Sequence, residues 1–167
     1  MASSALELKD RDGPINRRLY SIDAATPADL VAALPEGLGQ FALFLAWDAV
    51  SASTQEVSTL AAQLHERGLA YLCAWGPGCE RVHDIFDEVE LELAAARPAD
   101  SVIMTTWHAD ETLEEGLWFF VYNSFPDPAY EDSCRVGIAA TIGNGSWAAQ
   151  VDQYLGDLAL LNVAVGV

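Results

Sequence analysis

The sequence predicts an α/β fold: a three-layer sandwich around a mainly parallel sheet of four to six strands, Rossmann-like or flavodoxin-like in architecture. Two observations carry this reading. Strand-length runs at 41–47 (FALFLAW), 69–75 (LAYLCAW), 101–107 (SVIMTTW) and 135–142 (RVGIAATI) are apolar nearly throughout instead of alternating. Each is followed by a helix-start signal and an amphipathic stretch. Strands apolar on both faces, alternating with helices, mean a parallel sheet covered on both sides and joined by right-handed crossovers. Strand order does not follow from this pattern.

Residues 1–14 are polar and end in Gly13-Pro14, which reads as a loose tail before a single domain over 15–167. The segment 15–22 (INRRLYSI) is read as a first, peripheral strand. Thr26 is an N-cap with Pro27 at the first helical position, and that helix must stop by Leu34 because Pro35 and Gly37 follow. After the 41–47 strand, Ser53-Thr54-Gln55-Glu56 reads as a capping box, and Val57, Leu60, Ala61 and Leu64 mark one helical face before Gly68. The 69–75 strand ends in Gly76-Pro77-Gly78. The next helix buries Val82, Ile85, Phe86, Val89 and Leu93 and keeps its acids opposite. Thr112-Leu113-Glu114-Glu115 is a second capping box, opening a helix with Leu117, Phe120 and Val121. Gly143-Asn144-Gly145-Ser146 turns into a last helix with Trp147, Val151, Tyr154, Leu155 and Leu158 inward. The closing VAVGV is read as a final edge strand.

A chain of 167 residues fits one domain that buries roughly 70% of its unfolded surface. No apolar run reaches the length of a membrane span, and the N-terminus lacks the charged and apolar regions of a signal peptide, so the expected location is cytoplasmic. Cys73, Cys79 and Cys134 make no even framework and are expected as free thiols. Charge is the dominant compositional feature: 25 acids against 8 bases, net −17. Fourteen acids lie between Glu80 and Asp132, offset only by Arg81 and Arg97. Such a field repels nucleic acid and anionic lipid and attracts basic partners; equally, it keeps a protein soluble or suits a salty environment.

Ligands of open parallel sheets bind outside the carboxyl ends of the strands. There the sequence places Asp48, Gly76-Pro77-Gly78-Cys79, His108-Ala109-Asp110-Glu111 and Gly143-Asn144-Gly145-Ser146. Asp110 and Glu111 precede a helix N-terminus, where negative charge is favourable, but capping has no use for Trp107 and His108. Trp107, His108, Asp110, Glu111, Glu80, His83 and Asp84 are therefore the candidate partner-binding residues. A catalytic alternative joins Cys79, in the first turn of a helix, to His108 and Asp48. Against it stand the surrounding acids, which raise a thiol pKa, and the absence of a nucleophile-elbow pattern.

No metal set is expected. Cys79 and His83 are four apart on one helix, with His108 or Cys134 as further donors, but neither C-x-x-C nor H-E-x-x-H is present. His83 is expected to pair with Asp84 or Asp87 on a solvated face, and His65 to be plain surface. No cofactor is expected either, because Gly143-Asn144-Gly145 lacks the dinucleotide and P-loop patterns and the only lysine is Lys9. The run 116–122 (GLWFFVY) is apolar nearly all round, so Trp118, Phe119 and Tyr122 cannot all face the sheet. Either residues 123–134 fold over them or they join a partner or a second copy as a homodimer.

The segments AWGPGCERVHD (74–84) and TTWHADETLEEGLWFF (105–120) resemble those of a family of small uncharacterised bacterial α/β proteins, over most of residues 40–150. The resemblance implies that the two segments matter together and assigns no reaction. The functional expectation is an acidic cytoplasmic binding protein, an immunity- or antitoxin-type inhibitor of a basic protein such as a toxin. The alternative is a small Cys/His hydrolase or transferase.

Overall fold

The computed structural model describes the backbone of residues 7–10 and the whole of residues 14–97 and 101–167. The chain builds β1 (Glu7–Asp10), β2 (Arg18–Ala24), α1 (Pro27–Ala33), β3 (Phe41–Trp47), α2 (Thr54–Glu66), β4 (Leu69–Trp75), α3 (Cys79–Ala94), β5 (Met104–His108), α4 (Leu113–Asn123), β6 (Val136–Ile142), α5 (Gly145–Gly156) and α6 (Leu158–Val165). A 3₁₀ turn, Pro128–Tyr130, lies in the loop between α4 and β6.

The sheet order is β1-β2-β6-β3-β4-β5. Five strands are parallel, and β1 adds an antiparallel edge with a register shift between Leu8 and Asp10. The result is the three-layer α/β sandwich predicted from the apolar runs. Along β3, Phe41, Leu43, Leu45 and Trp47 face the layer built from α1, α2 and α3. Ala42, Phe44 and Ala46 face α4, α5 and α6. This two-sided burial explains why β3 carries no polar alternation: period-2 side chains find a core on either face.

Caps act where the sequence places them. Thr26 accepts from the Asp29 N–H, Ser53 from Glu56, and Thr112 exchanges bonds with Glu115 in a complete capping box. Gly116 lets α4 sit close on the sheet, since a Cβ there would stand 3.0 Å from Trp75 Cδ1 and 3.3 Å from Phe44 Cε2. Among the described residues no helix is long and apolar enough to cross a membrane.

Four details depart from the sequence reading. The segment 15–22 is not peripheral: β2 is flanked by β6 and by β1, whose residues fall within the stretch read as a tail. The rest of that tail, 1–6 and 11–13, lies outside the described residues. The strand expected over 101–107 runs from Met104 to His108, because the Ile103 N–H is taken by the Glu90 side chain at 3.3 Å instead of the ladder. The last helix breaks at Asp157, which ends α5 and caps α6 through the Leu160 N–H, leaving Leu158 half-buried on the second piece. VAVGV is accordingly no strand: α6 runs through Val165 and closes on Gly166 at φ 83°. A short apolar run has no period of its own, and here Leu161, buried beside α4 and α5, decides for helix.

Candidate functional site

The carboxyl ends of β4 and β5 meet the N-terminus of α3 around a cavity of about 340 Å³ lined by Trp75, Gly76, Pro77, Gly78, Cys79, Glu80, Ala109 and Glu111. Gly76 is required there. Its φ is 108°, and a Cβ would stand 2.6 Å from the Trp47 carbonyl oxygen, a backbone atom that cannot yield. Trp75 closes one wall, donating its indole N–H to the Glu111 carbonyl at 2.9 Å and meeting Trp147 edge-on at 4.9 Å. Sequence reasoning passed over Trp75, although its place as the last residue of an apolar strand marks it.

β5 divides the candidate residues between two faces. Trp107 points to the α3 side, where its ring lies 4.5 Å from that of His83, and it remains 45% exposed. His83 stands between two carboxylates, Nδ1 at 3.0 Å from Asp84 and Nε2 at 3.4 Å from Asp87. The expected pairing is present, but the imidazole is largely covered, not solvated, because Trp107 roofs it. One residue on, His108 turns to the opposite face and is buried: Nδ1 lies 2.8 Å from Glu111 Oε2, Nε2 3.0 Å from Thr106 Oγ1, and the ring packs on Phe119 at 4.8 Å. Glu111 is thus tied to His108, while Asp110, Glu80 and Asp84 stay exposed.

The residues of the catalytic alternative do not assemble. Cys79 is buried in the core on the α3 side. Burial pushes its thiol above the usual range, against the opposing pull of backbone N–H groups of His108 and Glu80. The His108 imidazole is across the sheet, engaged by Glu111 and Thr106. Asp48 accepts from the Val50 N–H at 3.3 Å and lines a separate cavity with Thr26, Trp47, Ser51, Glu56 and Asn144. Cys73 and Cys134 are buried free thiols, and burial lifts Cys73 to about 12. Among the described residues no three His, Cys, Asp or Glu side chains converge as a metal set.

Two further expectations change in three dimensions. His65 is not plain surface: its side chain is 3% exposed, Nδ1 lies 2.7 Å from the Ala61 carbonyl, and Nε2 stands 3.1 Å from Glu90 without hydrogen-bond geometry. Burial lowers its pKa. Glu90, itself buried, also holds Arg97 and the Ile103 N–H, so one carboxylate joins α2, α3 and the approach to β5. The α4 aromatics Trp118, Phe119 and Tyr122 are each partly buried, through contacts that neither expectation named. Trp118 donates to Asn162 of α6 at 3.1 Å, Tyr122 stacks on Trp118 at 5.1 Å, and Phe119 backs His108.

A comparison with curated proteins finds no match. A family model does match, over residues 20–156, a span that runs from within β2 through β6 and takes in the Trp75 cavity and the Trp107–His83 pair. The chain belongs to the family described as a domain of unknown function, DUF7684.

Proposed function

We propose that this protein works by binding: a cytoplasmic bacterial protein that inhibits a basic protein partner in the manner of an immunity protein or antitoxin. The observation that carries the proposal is Trp107, a large aromatic residue half-exposed at the carboxyl edge of the sheet and seated on His83. His83 itself stands between the carboxylates of Asp84 and Asp87, with Glu80 and Asp110 exposed on the neighbouring segments. Aromatic anchors supply much of the affinity of protein interfaces, and surrounding charge speeds encounter and fixes orientation. Net charge of −17 selects a basic partner and disfavours nucleic acid and anionic membrane. The hydrolase reading has no comparable support, since Cys79 is buried and His108 faces the other side of the sheet.

The test is affinity capture from the native host, identification of the bound protein, and association kinetics at low and high salt. The rate for wild type is expected to fall steeply with ionic strength, and the E80Q/D84N/D110N variant to associate more slowly with a flatter salt dependence. Wild type and variant with equal, salt-independent rates would sink the proposal.

A further inference from the structure

Resting on the basic-partner reading, we infer that the partner docks by adding an extended, positively charged segment as a seventh strand along β5. Among the described residues β5 pairs with β4 alone, so its outer side carries backbone N–H and C=O groups with no ladder partner. The pairing with β4 is continuous over Met104–His108, so the strand is regular enough to template a neighbour. The opposite edge of the sheet differs: β1 carries a register shift, a device that blunts strand addition.

The flanks of β5 are apolar where a surface is ordinarily polar. Val102 is 52% exposed, Met104 40%, Trp107 45% and Leu91 75%. Leu91 belongs to this fringe by helix geometry. His83, Asp87 and Leu91 form an i, i+4, i+8 stripe on α3, of which His83 touches Trp107 and Asp87 accepts from Thr105 Oγ1 at 2.5 Å. An added strand would turn one set of alternate side chains to the α3 face, where Lys or Arg can lay its stem on Trp107 and reach Asp87, and the other set to the opposite face beside exposed Met104. Charge complementarity decides the occupant. A second copy would bring an identical row of acids and a net −17 against the same edge, whereas a segment alternating apolar with Lys or Arg satisfies the backbone, the apolar fringe and the field together.

The test uses the whole protein and two synthetic peptides. One is a capped heptapeptide alternating Lys and Val; the other has the same sequence with its three central amides N-methylated, so that neither peptide edge keeps its ladder. Binding is read by fluorescence anisotropy near physiological salt, and docking by hydrogen exchange of the β5 amides. The unmodified peptide is expected to bind and to slow exchange within Met104–His108, with the N-methylated peptide weaker by about tenfold or more. Equal affinity of the two peptides, or binding that leaves β5 exchange unchanged, overturns strand addition while leaving a basic partner in place. Slowing of β5 exchange with protein concentration alone makes the occupant a second copy and also overturns the inference. The basic-partner reading is judged separately, by the salt dependence of the captured protein's association.

Discussion

Trp107→Ala separates an exposed anchor from a core residue by magnitude. An aromatic side chain carries about 150–250 Å² of surface. With Trp107 45% exposed, roughly 100 Å² of it is withdrawn from water, mostly against His83 and the α3 side of the sheet. At about 25 cal/mol per Å² this burial is worth about 2.5 kcal/mol, and residual compactness of the unfolded chain brings it to about 2. A fully buried aromatic would cost about 3–5 kcal/mol. In a domain of this size the truncation should therefore lower Tm by about 4–8 °C. Circular dichroism melts and urea titrations measure it, with an unchanged m-value showing that the denatured state is unaltered. The same variant should dissociate from the captured partner about thirtyfold faster, the equivalent of about 2 kcal/mol at an interface hot spot. A stability loss of about 4 kcal/mol or more with unchanged dissociation would refute the reasoning, because Trp107 would then be serving the core.

Other outcomes test the rest of the structure. Burial holds the folded-state pKa of His65 below its unfolded value near 6.5, so below that pH the unfolded chain takes up a proton that the folded chain refuses. Stability is full above about pH 6.5 and falls as pH drops through the window down to the folded pKa; denaturant midpoints of His65→Gln should show a flatter profile there. Glu90→Ala leaves Arg97 and the Ile103 N–H without their carboxylate and should cost about 3 kcal/mol or more by urea unfolding, well beyond an ordinary surface change. The Cys79 thiol, buried and with its pKa raised, should react with iodoacetamide more slowly in the native protein than in urea; faster native labelling near neutral pH would restore a reactive-cysteine role.

Much of this protein is determined by information confined to short stretches. β3 and β4 end where the apolar runs end, because seven residues apolar on both faces have no stable arrangement except between two layers. Thr26, Ser53 and Thr112 cap their helices through N–H groups three residues on, a relation that involves no other part of the chain. The location of the candidate site at the carboxyl edge follows from the same alternation of strand and helix. What lay beyond the sequence depends on contacts between distant segments. Read as ending at Trp107, the 101–107 strand leaves His108 in a turn, free to join Cys79; one further residue in β5 puts His108 into the pleat and carries its ring to the other face of the sheet. His65 becomes buried only because α2 packs against α3 and brings Glu90 beside it. The exposed flank of β5 exists because β6 inserts between β2 and β3, leaving β5 last in line. Hydrophobic period and capping are properties of neighbours in sequence, while strand order, register and burial are settled by which surfaces meet across the whole chain.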